Sequence, residues 1–160
     1  MESHRQFSVG NEKLLFDAAL PASPSGTNES EHKLEIAVIF TFAEATVAAI
    51  DRAAALLSGL NGHISLVVAH TVPYPLPLEN PPVSLDLSKR QLLEIAHESP
   101  VETTVHLYLC RRRLEILASV LKPGLLVVIG SRKRWWPTWE KSLARKLQCA
   151  GHQVILLETA

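Results

Sequence analysis

Short apolar runs that alternate with helical patterns constrain the fold of this chain most strongly. The runs EIAVIF at 35–40 and LLVVIG at 125–130 are continuous and apolar, as in strands that are covered on both faces. The segment 43–60 between them repeats its apolar residues three or four positions apart, which is the spacing of an amphipathic helix. This alternation predicts an α/β fold, a doubly wound three-layer sandwich with a five-stranded parallel sheet.

The same patterns place each element along the chain. They predict strands at 35–40, 63–70, 101–109, 125–130 and 153–158, and helices at 43–60, 85–97, 111–122 and 138–150. Gly62 is expected to end the first helix in the left-handed conformation, and Thr138 to cap the last helix. We expect the strand order 3-2-1-4-5, with ligands bound at the carboxyl ends of the strands.

The first 33 residues differ in composition from the rest. The segment 21–33 is rich in Pro, Ser, Gly, Thr and Asn, which is typical of a flexible linker. Before it, 11–20 has the composition of a short helix or of a frayed end. The sequence therefore predicts a flexible extension at 1–33 followed by a single domain at 34–160.

Charge divides the chain unequally although the formal net charge is zero. Residues 1–100 carry 6 Lys and Arg against 12 Asp and Glu, whereas residues 101–160 carry 10 against 4. Such a division suggests an anion-binding face or a self-complementary surface. No apolar run approaches the roughly 20 residues that span a bilayer, and the first residues lack a signal-peptide pattern. We expect a cytoplasmic protein without membrane contact.

All three tryptophans of the chain lie in the segment 131–141, SRKRWWPTWEK. They follow Arg132, Lys133 and Arg134 directly and precede the last predicted helix. Three interpretations are open. One or two tryptophans fill a cleft of the protein itself, the loop is a surface for a protein partner, or the cations bind phosphate while a tryptophan stacks on a base.

A second cationic cluster, Arg111 to Arg113, begins the helix after the third strand, where the helix dipole disfavours cations. With the expected strand order, both clusters lie on one rim of the sheet and suggest a bound anion or an acidic partner. His70 ends a strand on the same rim. The histidines show no metal-binding spacing, and no motif of a nucleophile, a Walker A loop or paired carboxylates is present. We therefore expect no metal and no enzymatic activity, with weak ATP hydrolysis as the remaining alternative.

The last predicted strand, QVILLE at 153–158, forms an edge of the predicted sheet. An apolar, uncharged edge strand favours pairing with another chain. The predicted dimer interface comprises Gln153, Val154, Ile155, Leu156 and Leu157. A homodimer through this strand is the expected partner interaction, a further protein partner is an open alternative, and nucleic acid is not expected.

From Glu35 to its end, the chain resembles the universal stress protein domain, which has the adenine-nucleotide α-hydrolase-like fold. Three segments carry the resemblance: ISLVVAHTVPYP, LLVVIGSR and KLQCAGHQVILLE. The resemblance implies that 34–160 is a universal stress protein-like domain. It also implies ATP or AMP as the possible ligand, and dimerisation through the last strand.

The nucleotide-binding motif of that family is only partly present. Its members that bind ATP carry an acidic residue and Gly-Ser after the first strand, where this chain has Thr41, Phe42 and Ala43. Gly130 is kept, but Lys133 stands at the second glycine position, and the loop that follows is about three residues short of the family pattern. Because a Cβ resists a phosphate-loop conformation, we expect the family's mode of ATP binding to be lost.

The last Gly-Ser pair of the family's motif is replaced as well. Glu140 and Lys141 occupy its two positions. The carboxylate of Glu140 would place a negative charge where the resemblance implies a phosphate. This substitution adds to the expectation that the ATP-binding motif is degenerate.

Two functions follow from these observations. The sequence favours a non-catalytic, dimeric module that is stress-associated or regulatory and works through protein contacts. The alternative is binding of an adenine nucleotide or another phosphate-bearing ligand at the carboxyl ends of strands 1 and 4, using the basic Trp loop. The candidate ligand-binding residues are Thr41, Phe42, His70, Gly130, Ser131, Arg132, Lys133, Arg134, Trp135 and Lys141.

Overall fold

The computed structural model describes residues 8–9, 12–19, 33–78 and 84–160. The strands in these ranges are β1 (Ser8–Val9), β2 (Glu12–Ala19), β3 (Leu34–Ile39), β4 (Gly62–Thr71), β5 (Thr103–Cys110), β6 (Leu126–Arg132) and β7 (Gln153–Thr159). The helices are α1 (Ala43–Leu57), α2 (Leu85–His97), α3 (Arg113–Val120) and α4 (Trp139–Cys149). None of these helices is long and apolar enough to cross a membrane.

All the strands form one sheet in the order β1-β2-β5-β4-β3-β6-β7. The five neighbouring strands β5, β4, β3, β6 and β7 are parallel. Their order confirms the predicted arrangement 3-2-1-4-5. The continuous apolar runs occupy its centre because a strand that is covered on both faces exposes neither set of its side chains. β3 and β6 pair directly, with Val38 opposite Val128, so their carboxyl ends meet at one rim.

Helices cover both faces of the sheet and enclose two hydrophobic cores. The first core joins α1 and α2 to the sheet through residues such as Val38, Ile50 and Leu92. The second joins α3 and α4 to the opposite face through residues such as Ile39 and Leu143. Because successive strand residues point to opposite faces, Val38 and Ile39 serve different cores. The three-layer sandwich is therefore confirmed.

The N-terminal segment extends the sheet instead of forming a helix. β1 and β2 make an antiparallel hairpin, and β2 pairs with β5 from Lys13 opposite Leu109 to Ala19 opposite Thr104. The short helix or frayed end predicted at 11–20 is wrong. The open edge of β5 offers a ladder of hydrogen bonds, and such pairing overrides local propensity. The predicted linker at 21–33 lies, except for Lys33, outside the described residues.

The end of α1 also differs from the prediction. The helix ends at Leu57, and Gly59 adopts the left-handed conformation with φ of 76°. Gly62 belongs to β4, where a Cβ atom would clash with the Leu57 side chain and lie 2.9 Å from the carbonyl oxygen of Leu34. Close packing against the last residue of α1 and the start of β3 therefore favours glycine at 62, and a left-handed conformation does not.

Candidate functional site

The carboxyl ends of β3 and β6 are tied to the first turn of α1. The Thr41 Oγ1 hydroxyl donates a hydrogen bond to the Gly130 carbonyl oxygen at 2.8 Å. The Thr41 backbone N–H donates to the Thr46 Oγ1 at 3.2 Å. A Cβ atom on Gly130 would lie only 2.2 Å from the carbonyl oxygen of Ala45. Thr41 and Gly130, both predicted ligand-binding residues, thus hold the first turn of α1 against the sheet.

A cleft of about 440 Å³ opens beside this junction at the sheet rim. It is lined by Phe42, Arg132, Arg134, Trp136, Pro137, Thr138, Trp139 and Glu140. Three of the predicted ligand-binding residues, Phe42, Arg132 and Arg134, are therefore brought together. They come from the ends of β3 and β6, the two strands that the prediction singled out.

Both cleft arginines lie against aromatic rings. The Arg132 guanidinium carbon lies 4.5 Å from the centroid of Phe42, and that of Arg134 lies 5.8 Å from the centroid of Trp136. Such cation–π contacts orient a guanidinium without using its N–H donors. Neither arginine forms an ion pair with any carboxylate in the described part of the chain. Their donors remain available to a ligand.

The chain's own groups occupy the beginning of α4. The Thr138 Oγ1 accepts a hydrogen bond from the Lys141 N–H at 3.4 Å, which confirms the predicted cap. Glu140 lies in the first helical turn and is only 9% exposed. Lys141 Nζ donates to the Arg134 carbonyl oxygen and lies 3.6 Å from the Glu158 carboxylate. Lys141 therefore holds the loop and does not line the cleft.

The three tryptophans take different positions. Trp135 is 91% exposed and Trp136 is 50% exposed, with their ring centroids 6.0 Å apart. Trp139 packs against the core on the α3 and α4 side, and the Arg113 guanidinium lies 4.5 Å from its ring centroid. Trp135 therefore does not enter the cleft, whereas Trp136 and Trp139 both line it. Trp139 alone folds inward, and the cleft remains open beside it.

The cluster of Arg111 to Arg113 does not join the cleft. Arg111 donates to the carbonyl oxygens of Val72 and Leu76, at 2.7 and 2.5 Å. Arg112 forms an ion pair with Glu115 at 2.9 Å. Arg112 is nevertheless largely exposed, and Arg113 stacks on Trp139, which lines the cleft. None of the three arginines lines the cleft itself.

The other predicted residues of the rim lie outside the cleft lining. His70 is half-buried, and burial together with the charge of Arg113 lowers its pKa, so its neutral form is favoured. The Ser131 side chain is fully buried, and its Oγ has no hydrogen-bond partner within the described ranges. Lys133 is exposed, and its N–H donates to the Thr159 carbonyl oxygen at 3.0 Å. In the described residues, no cluster of His, Cys, Asp and Glu is arranged for a metal ion.

β7 lies at the edge of the sheet, as predicted. Of the predicted interface residues, Gln153 is exposed and the other four, 154–157, are half-buried. The Gln153 N–H donates to the Leu125 carbonyl oxygen, and the backbone groups of successive strand residues point in opposite directions along the sheet. The backbone N–H and C=O groups of Val154 and Leu156 therefore point away from β6, toward the open edge of the sheet.

Most of the cleft lining comes from the Trp loop that the sequence indicated, but from residues that were not named individually. Residues 136–140 supply five of the eight lining residues, and none of them was among the candidate ligand-binding residues. The signal for them was their position directly after the cationic block. The chain bends at Trp135 and Trp136 and continues through Pro137 to the extended capping residue Thr138. A capping residue before a helical pattern is a signal that the sequence displays.

Comparison with known proteins identifies the fold. A structure of a universal stress protein family protein from Burkholderia pseudomallei superposes with a TM-score of 0.53 at 18% identity, over 78% of this chain and 96% of the other. The universal stress protein from Archaeoglobus fulgidus gives a TM-score of 0.55 at 17% identity, over 78% and 93%. No family model matches the sequence, and neither does any curated protein. The chain has the universal stress protein fold, as its resemblance predicted.

Proposed function

We propose that this protein is a non-catalytic binding module that takes a phosphate-bearing ligand with a planar ring, of the adenine nucleotide class, in the rim cleft. One observation carries the proposal. Arg132 and Arg134 lie in an open cleft together with the rings of Phe42, Trp136 and Trp139. The cleft lies at the carboxyl ends of parallel strands, where ligands of such α/β sheets bind.

Size and chemistry of the cleft match such a ligand. Sites for small molecules commonly have volumes of about 300–1,000 Å³, and the cleft has about 440 Å³. Guanidinium groups bind phosphate through paired N–H donors, and aromatic faces stack on bases. Glu140, a buried residue of the same lining, adds an acceptor for a hydroxyl or amino group. A nucleotide contains all three groups that match this lining: a phosphate, a base, and hydroxyl or amino groups.

The lining also supports a role without catalysis. It contains one carboxylate, Glu140, and no histidine, cysteine or lysine. General acid–base chemistry needs a positioned proton donor or acceptor near the reacting group, and nucleophilic chemistry needs an activated nucleophile. Binding is what this set of residues supports.

The proposal is tested by calorimetric titration with AMP, ATP and adenosine. We expect saturable binding of both nucleotides and weaker binding of adenosine, which lacks phosphate. Arg132→Gln combined with Arg134→Gln should weaken AMP binding by about a hundredfold or more, because each of the two lost hydrogen bonds to a charged group contributes about 1.5–3 kcal/mol. The matched control is Lys133→Gln, which removes the charge between them outside the cleft. Equal loss in the control and the double variant would contradict the proposal.

A second candidate function is a module that acts through protein contacts as a dimer. The observation that favours it is the open edge of β7, where the half-buried residues 154–157 adjoin outward-facing backbone groups. Apolar edge strands pair readily with other chains. This function is compatible with the first, because β7 contributes no residue to the lining of the cleft.

A further inference from the structure

A second, smaller groove lies on the outer side of the Trp loop. It has a volume of about 210 Å³ and is lined by Trp135, Trp136, Pro137, Lys141, Ser142 and Arg145. Trp136 and Pro137 separate it from the rim cleft, since they line both. Trp135 and Arg145 belong to the outer groove alone. The outer groove is therefore a distinct surface with its own test.

Trp135 is the unusual residue of this groove. Its side chain is 91% exposed, although a tryptophan commonly buries about 150–250 Å² in a core or an interface. The Trp136 ring stands beside it at an interplanar angle of 57°, so the two rings form an angled apolar wall. Tryptophan and arginine are the residues most enriched at the energetic centres of protein interfaces.

The loop presents this wall in a fixed position. The Lys133 N–H is bonded to the Thr159 carbonyl oxygen, and Lys141 Nζ is bonded to the Arg134 carbonyl oxygen. These contacts hold the chain just before Trp135, and the ring of Pro137 restricts the backbone just after it. A preorganised surface loses little conformational freedom when a partner binds.

Charge selects the kind of partner. Lys141 and Arg145 are separated by one turn on the same side of α4, so their side chains are neighbours. Arg145 forms no ion pair with another described residue. Both charged residues that line the outer groove, Lys141 and Arg145, are cations. The outer groove is therefore both apolar and cationic.

We propose that the outer groove binds an acidic peptide segment of a partner protein. A proline or leucine of the segment packs against the wall formed by Trp135 and Trp136, and an Asp or Glu pairs with Arg145. Glu158, half-exposed beside Lys141, repels the continuous negative charge of a nucleic acid but leaves Arg145 open to a single carboxylate. The inference does not rest on the ligand proposed for the rim cleft.

The test is selection from a phage-displayed library of random linear peptides on the full chain. We expect enrichment of peptides in which Asp or Glu adjoins Pro or Leu. Their affinity should fall about tenfold or more with Trp135→Ala and with Arg145→Glu, as for residues at the centre of an interface. Lys146→Glu, which changes an exposed cation of α4 outside the outer groove, should leave it unchanged.

Three results would overturn the inference. They are peptides that bind the Trp135→Ala variant as well as the unchanged chain, binding of a polyuridylate oligonucleotide that Arg145→Glu abolishes, and self-association that Trp135→Ala abolishes. The last two assign the outer groove to nucleic acid or to a second copy of this chain. Because Trp135 and Arg145 do not line the rim cleft, AMP titration of the same variants separates failure here from failure of the proposed ligand site.

Discussion

At the scale of the single residue, the backbone contact between β6 and α1 fixes the identity of residue 130. A Cβ atom on Gly130 would lie within 3 Å of three Ala45 atoms, its carbonyl oxygen, carbonyl carbon and Cβ. We expect Gly130→Ala to lower the free energy of unfolding by about 1–3 kcal/mol, the usual cost of overpacking a core. Urea denaturation measures it. The glycine that the chain shares with the universal stress protein motif thus has a packing role of its own.

A second glycine serves as the control for this substitution. Gly124 has φ of 73° but nothing within 4 Å of its Cβ position. Asn tolerates the left-handed conformation, so Gly124→Asn should cost no more than about 1 kcal/mol. A loss for Gly130→Ala no larger than that of the control would show that α1 moves away freely from β6.

Glu35 makes the stability of the domain depend on pH. Burial alone raises its pKa, but hydrogen bonds from Lys122 and Ser65 outweigh burial and hold the pKa below its ordinary value of 4.5. The unfolded chain therefore binds the proton more tightly. The contribution of Glu35 is fully present above about pH 4.5 and is lost as the pH falls through the lowered pKa.

Substitution of this carboxylate should remove that part of the pH dependence. We expect Glu35→Gln to flatten the curve of unfolding free energy against pH below about 4.5, as the linkage between proton binding and stability requires. Urea denaturation at a series of pH values gives both curves. Parallel curves for the variant and the unchanged chain would contradict the assignment.

At the scale of the element, the N-terminal hairpin covers one edge of the sheet. β2 pairs with most of β5, whereas the two-residue β1 pairs only with Glu12 and Lys13 of β2. Deletion of residues 1–20 should open the edge of β5 and cause concentration-dependent association, since open strand edges pair with other chains. Sedimentation velocity measures it, and circular dichroism checks that the remaining domain is folded.

A shorter deletion provides the control for the hairpin. Removal of residues 1–7 leaves β1 and β2 intact and should leave the sedimentation behaviour unchanged. If the longer deletion sediments like the shorter one, protection of the β5 edge is not the role of the hairpin.

The elements from β3 onward could be predicted because their patterns are local. A continuous apolar run marks a strand covered on both faces. The observed ends of these strands differ from the predicted ends by at most two residues, as at β6. The hairpin could not be predicted in this way. Its strands are set by pairing with β5, a partner about ninety residues away in the chain, and local propensity carries no information about that partner.

At the scale of the whole molecule, the open edge of β7 predicts a dimer. The Leu156 N–H faces away from β6, so Leu156→Pro removes an outward donor without breaking a bond inside the sheet. We expect this variant to sediment as a monomer and Leu156→Ala, which loses the same packing but keeps the N–H, as a dimer. Identical behaviour of both variants would place the dimer contact elsewhere.

The site could be predicted only where topology determines it. Phe42, Arg132 and Arg134 follow from the meeting of β3 and β6 at one rim. The outward position of Trp135 does not follow, because it depends on the path of a loop held by Lys141. That path leaves the cleft open, and for this reason we place ligand binding before the protein-contact function that the sequence favoured.

The most direct test of the ligand site uses the three indole N–H resonances as separate reporters. Two of the tryptophans, Trp136 and Trp139, line the rim cleft, whereas Trp135 lies outside it. Titration with AMP, followed by ¹H–¹⁵N spectra and assigned with single Trp→Phe variants, should shift the signals of Trp136 and Trp139 saturably and by more than that of Trp135, whose ring lies beside Trp136. Three unchanged signals, or a shift confined to Trp135, would contradict ligand binding in the cleft.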